Sequence, residues 1–180
     1  MSTLKVDNVT SRADSTPYIP GMILQVVTVT TPVNFNTTAT TFVTTGLSAT
    51  LTPKSISSKF LITLQGTVSL NNAQAQGNAI GAQFKFYRSG EYLDQLASYS
   101  NYAGVSPSHD SAYILNYDSQ TVNVTVIDEP ATTNEITYHV DTAADSGANY
   151  MGWNSAPAGT STSTGHVGPS GQLIVMEIAG

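Results

Sequence analysis

Ser108, His109 and Asp110 bring together the residue types of a hydrolytic triad. A triad is assembled in space, however, and three consecutive residues do not reach its geometry. Within SYSNYAGVSPSHD (98–110) they read as turn formers, whose short polar side chains bond to nearby backbone. His139 and Asp141 lie two apart on an alternating stretch, so they share one face and leave the other to Tyr138 and Val140. They read as a solvated pair, or as two ligands of a partial metal site. The chain has three histidines (His109, His139, His166), no HExxH or HxxxH spacing and no cysteine, which disfavours transition-metal and thiol chemistry. Asp118 and Asp145 are oxygen donors of the kind calcium takes, but EF-hand spacing is absent. Glu177 alternates with Leu173 and Val175 in the last apolar run, which places it at a sheet rim or in a pair across an interface. With no pair of carboxylates to nominate for acid–base work and no glycine-rich phosphate cradle, no enzyme, cofactor or metal site is expected.

The aromatic residues offer binding rather than catalysis. Phe35, Phe42, Phe60, Phe84 and Phe86 read as core. Tyr99 and Tyr102 fall in the loop 98–110, and Tyr150 and Trp153 in the loop 143–171, where Asn149 and Asn154 flank them. Tyr and Trp on loops supply contact area at low entropic cost. These four residues are therefore the candidate binding surface, for a sugar or for another protein.

Composition says what must carry such a surface. Twenty Ser and 25 Thr make up a quarter of the 180 residues, and only 10% are charged. The charged share of ordinary soluble domains is roughly 25%. Threonine is β-branched and suits a pleated surface, so the chain has a strand composition. The net charge is −6, which argues against nucleic acid as a partner. All six basic residues lie in the first 88 positions beside Asp7 and Asp14, giving 6 − 2 = +4, while the other 92 positions carry ten carboxylates. Such a split suits one fold with interleaved halves, or copies that meet with opposite signs. Lys59, Lys85 and Arg88 are accordingly expected to meet carboxylates of the second half. No apolar run reaches the ~18 residues of a membrane span, and the start lacks the apolar core of a signal peptide, so synthesis in a cytoplasm is expected.

Residues 1–20 read as an arm and 21–180 as the domain. Strands are expected over 22–31 (MILQVVTVTT, apolar on both faces), over 40–53 in two pieces broken at Gly46-Leu47, and over 59–70. In the last of these, Phe60, Ile62 and Leu64 share a face. Residues 71–78 read as a loop. Alternation through Ala82, Phe84 and Phe86 leads to Ser89-Gly90, a hairpin signal. Further strands are expected near 111–117, 121–127, 135–142 and 172–179. Many short strands without a helical period mean an antiparallel β-sandwich of jelly-roll type, with the short N-terminal arm outside it.

Four ordered stretches carry a family resemblance: STLKVDNVT then PGMILQVV (2–10, 20–27), TTGLSATLTPKSISSKFLITLQG (44–66), IDEPATTNEITYHVDTAADSG (127–147) and GQLIVMEIAG (171–180). Together they cover about two fifths of the chain. They resemble small virion structural proteins of tailed phages, as in cyanophages and marine phages, of the tail-fibre or appendage type with a C1q/TNF-like trimeric head. The resemblance implies a homotrimer located in the virion. It also implies an arm, residues 1–20, that docks on other virion proteins, and a head that contacts a host surface glycan or protein. It supplies no catalytic residues. A capsid decoration protein and a free carbohydrate-binding module are the alternative expectations.

Overall fold

The structure, a computed structural model, describes residues 19–30, 35–72, 80–93, 99–103, 116–144, 149–153 and 171–180. Of residues 36, 69–72, 80–82, 99–103, 116–120 and 149–153 it describes the backbone alone. The eleven described strands are β1 (Ile23–Thr30), β2 (Phe35–Thr37), β3 (Val43–Leu51), β4 (Lys59–Asn72), β5 (Ile80–Arg88), β6 (Glu91–Tyr92), β7 (Tyr99–Ala103), β8 (Asn116–Asp128), β9 (Ile136–Ala144), β10 (Asn149–Trp153) and β11 (Gln172–Ile178).

Every pairing is antiparallel, and the strands form two sheets. In the first sheet the long β4 is central. It pairs with β8 from Phe60↔Asp128 to Asn72↔Asn116. Along its other edge β11 takes residues 59–65 and β10 takes 68–72, end to end. Outside these, β1 pairs with β11 and β2 with β10. In the second sheet the order is β3-β9-β5, with β7 and β6 end to end on the far edge of β5. Counting each end-to-end couple as one strand leaves eight, ordered 1-8-3-6 in one sheet and 2-7-4-5 in the other. That is the order of a jelly roll, in which two sheets close over one core.

Period-two alternation builds this core. Phe60, Ile62, Leu64 and Val68 of β4, Val122 and Val126 of β8, and Leu173 and Val175 of β11 face Leu47, Ala49 and Leu51 of β3, Phe84 and Phe86 of β5, and Ile136, Tyr138 and Val140 of β9; all are buried. Four of the expected phenylalanines lie in or against it, Phe35 only partly buried. Phe42 does not.

The expected break at Gly46-Leu47 is a bulge inside one strand. Thr44 pairs with Asp141 and Ser48 with His139, so β3 advances four residues while β9 advances two. Gly46 takes φ +78°, and the buried Thr45 hydroxyl donates to the Val140 carbonyl (2.6 Å), satisfying an acceptor in the interrupted ladder. The two strands expected near 111–117 and 121–127 are likewise continuous as β8 where described. At Ser89-Gly90 both residues have positive φ (48° and 87°), the geometry of the two-residue hairpin the dipeptide signals.

Candidate functional site

The four aromatic residues expected on loops lie in strands. Tyr99 and Tyr102 belong to β7, opposite Phe84 and Gly81 of the second sheet. Tyr150 and Trp153 belong to β10, opposite Asn71 and Val68 of the first. The loops 98–110 and 143–171 are thus shorter than expected, and the four residues are divided between two sheets. Only their backbone is described. Ser108, His109, Asp110, Asp118's side chain, Asp145, His166 and residues 1–18 of the arm lie outside the description.

What the structure does bring together is on the outer face of the second sheet. There the Tyr87 ring stacks on His139 (4.8 Å between centroids, 1° between planes) and meets Tyr92 at 5.7 Å and 50°. The Lys85 ammonium sits 4.1 Å from the Phe42 centroid and 4.8 Å from that of Tyr92. Lys85 therefore meets aromatic rings instead of the expected carboxylate, a favourable cation–π arrangement. Phe42 lies outside the core because it precedes β3 and reaches this outer cation. Asp141 is the direct cross-strand partner of Lys85. Its Oδ1 is buried without a hydrogen bond, 3.9 Å from His139 Nε2. His139 and Asp141 do share a face, yet they form a half-buried pair and not a solvated one.

Burial pushes the Asp141 carboxyl above its ordinary 3.8, and His139 opposes this in part. In the folded state the proton is therefore held to higher pH than in the unfolded chain, so this residue's contribution weakens as pH rises through the folded value. Asp141→Asn, which removes the charge and keeps the shape, should raise the neutral-pH melting temperature by about 2–4 °C, the response to roughly 1 kcal/mol at this size. The gain should vanish below the ordinary carboxyl value of 3.8. Thermal scans of both proteins across that pH range check it.

Two polar nodes lie between the sheets' elements. Glu177 is fully buried, neither at a rim nor across an interface. Its carboxylate accepts from the Lys54 amide (2.6 Å), the Ser58 hydroxyl (2.6 Å) and the Gln25 side-chain amide. Arg88 Nη1 donates to both oxygens of Asp128 (2.7 and 2.8 Å), and the Tyr138 hydroxyl donates to Oδ2 (2.7 Å). Arg88 thus meets a second-half carboxylate as expected, and so does Lys59, 2.8 Å from Glu129. Among the described residues no three His, Asp or Glu side chains converge as a metal site.

The outer face of the first sheet differs in kind. Val26 pairs with Met176, Met176 with Leu61, and Leu61 with Ile127, so one apolar rank crosses the sheet. Val26 and Ile127 are half exposed, at 50% and 53%. Ile23 and Ile178 pair just beyond this rank and Ile174 lies just inside it. Threonines follow, with Thr63 and Thr125 hydroxyls 3.0 Å apart. The far end is an open groove lined by Gln65, Gly66, Thr67, Thr121, Val122, Asn123 and Gln172. The clue to this face was present in the sequence as the two-sided apolarity of 22–27 and 173–178. Nothing comparable marked Tyr87, Tyr92 and His139, which only strand pairing places side by side.

No family model matches the chain, and no curated protein resembles it. Among solved structures it is similar to VP2 of infectious bursal disease virus. The VP2 subviral particle is 15% identical over 87% of this chain and 33% of that one, with TM-score 0.40. The structure of the virus-derived T=1 particles is 14% identical over 98% of this chain and 37% of that one, with TM-score 0.38. The chain spans about a third of the length of these proteins.

Proposed function

We propose that the chain is a virion structural protein, a tail-fibre or appendage component of a tailed phage, which assembles as a homotrimer through the outer face of its first sheet. The observation that carries this reading is the rank Val26–Met176–Leu61–Ile127, widened by Ile23, Ile174 and Ile178. A Thr- and Ser-rich chain has polar side chains in plenty for a solvated face, yet this face carries six branched apolar residues beside Met176. A second copy is the fitting occupant, because three copies around an axis bury the same patch in a closed ring. The jelly-roll order and the tailed-phage resemblance of the sequence support the same assembly. Residues 1–20 would then dock on other virion proteins and the head would meet the host surface.

Sedimentation of the full chain should give three times the chain mass at micromolar concentration. Leu61→Asp, a charge at the middle of the rank, should yield folded monomer, a loss of at least about 2 kcal/mol per interface as for a central anchor. Monodisperse monomer from the unaltered chain would remove the proposal.

A further inference from the structure

We propose that the outer face of the second sheet is a saccharide-binding site, in which a pyranose ring stacks on Tyr92 and Tyr87 while its hydroxyls bond to Lys85 and Asp141. Elsewhere this face carries plain hydroxyls, such as Thr50 and Thr137, whose Oγ1 atoms bond to each other at 2.8 Å. At one place it gathers three aromatic rings, an imidazole, an ammonium and a carboxylate, all half-buried. Three features of the cluster point to a sugar.

The first is a held platform. Tyr87 is clamped parallel to His139, and Tyr92 meets it at 50°, so the two tyrosines form an angled pair of rings. The negative face of such a ring attracts the weakly positive C–H faces of a pyranose. Tyrosine also brings area at a small entropic cost. The second is unspent hydrogen-bonding capacity. Asp141 Oδ1 is buried and has no hydrogen bond, and Lys85 is held by rings and not by an anion. Leaving such groups unmatched is costly, and a ligand hydroxyl that accepts from one and donates to the other relieves it. Lys85 and Asp141 are direct cross-strand partners, the spacing at which neighbouring hydroxyls of one ring reach both. The third is charge. One cation and one carboxylate leave the cluster balanced, which suits a neutral polyol and not a polyanion. Lys85 must swing from between Phe42 and Tyr92 to admit the ring, a side-chain motion that leaves the sheet intact.

The proposal rests on the trimer reading only for this face's outward position, opposite the buried one. Its test stands apart. The full chain is titrated with methyl glucopyranoside, methyl galactopyranoside, methyl mannopyranoside and N-acetylglucosamine at millimolar concentrations, with amide NMR shifts as readout. At least one sugar should shift the amides of Lys85, Tyr87, Tyr92, His139 and Asp141 saturably. Tyr92→Ala should weaken that binding about tenfold, as loss of an aromatic anchor does, while Tyr92→Phe keeps it. Lys85→Met preserves the stem and should cost about fivefold, which decides the matter if Tyr92→Ala fails to fold. Thr50→Ala, on the same face outside the cluster, should change nothing. Sedimentation of the same samples reports the trimer separately. Absence of saturable shifts with all four sugars, shifts centred elsewhere, or binding indifferent to Lys85→Met would overturn the site.

Discussion

Glu177→Ala should destabilise the fold by about 3–5 kcal/mol, seen as a lower urea midpoint at unchanged slope. The expectation follows from what the carboxylate holds. Glu177 sits on β11 with no exposed surface and accepts from three donors far away in sequence. Gln25 comes from β1, while Lys54 and Ser58 come from the turn between β3 and β4. Gln25 also donates to the Thr52 carbonyl (2.8 Å), so the node fastens the first strand, that turn and the last strand together. Alanine would leave the buried Ser58 hydroxyl and the part-buried Lys54 backbone N–H without an acceptor, at about 1–3 kcal/mol each before relaxation or entry of water, while Gln25 would keep the Thr52 carbonyl. Glu177→Gln is not conservative here, because its NH2 group would point at a donor; a loss of about 2 kcal/mol is expected. The neighbours Met176 and Ile178 face the proposed trimer interface, so both variants should also weaken assembly. A loss within about 0.5 kcal/mol for both, the level of an ordinary surface change, would show that the node is dispensable.

Glu177 also marks where sequence reading stops. Its parity with Leu173 and Val175 was legible, and it does share their buried face. Its environment was not legible, because a carboxylate enters a core only where donors are supplied, and these come from residues up to 152 positions away. The same division runs through the fold. Alternation located β4 and β9, runs apolar on both faces located β1 and β11, and a two-residue turn signal located the β5–β6 hairpin, since these depend on residues adjacent in the chain. The β3 bulge was misread as a break because Gly46 signals positive φ without saying whether pairing resumes. β10 was missed because NYMGW pairs through its backbone with β4 and β2, and its side chains carry no alternating apolar pattern. For the candidate sites, the apolar face of β1 and β11 was visible as excess apolarity. The cluster of Phe42, Lys85, Tyr87, Tyr92, His139 and Asp141 arises from β5, β6, β9 and the approach to β3, and only the register joins them.

Asp128→Ala should be the second severe lesion, costing about 3–5 kcal/mol and lowering the melting temperature by roughly 10 °C. Asp128 ends β8 in the first sheet, whereas Arg88 and Tyr138 belong to β5 and β9 of the second. One carboxylate, 8% exposed, therefore ties the two layers by two charge-assisted bonds and one hydroxyl bond. Removing it strands the Arg88 charge and the Tyr138 hydroxyl together, whereas Tyr138→Phe removes a single bond and should cost about 1 kcal/mol. The triple variant Arg88→Met, Asp128→Leu, Tyr138→Phe should recover most of the loss, since apolar replacement of a whole buried network avoids the stranded charge. The pH response follows from Tyr138, whose hydroxyl is pushed well above its ordinary 10 by burial first and by the bond to Asp128 next. The unfolded chain releases that proton near pH 10 and the folded one keeps it. Stability should therefore fall as pH rises beyond that point, and the fall should flatten in Tyr138→Phe. Ile127, the outer end of the apolar rank, directly precedes Asp128, so loss of the carboxylate should loosen β8 where the proposed trimer contact begins. Urea midpoints for the single and triple variants, with sedimentation of each, separate these effects. A loss for Asp128→Ala no larger than that for Tyr138→Phe would mean the arginine is satisfied by solvent and the tie between the layers rests on the hydroxyl alone.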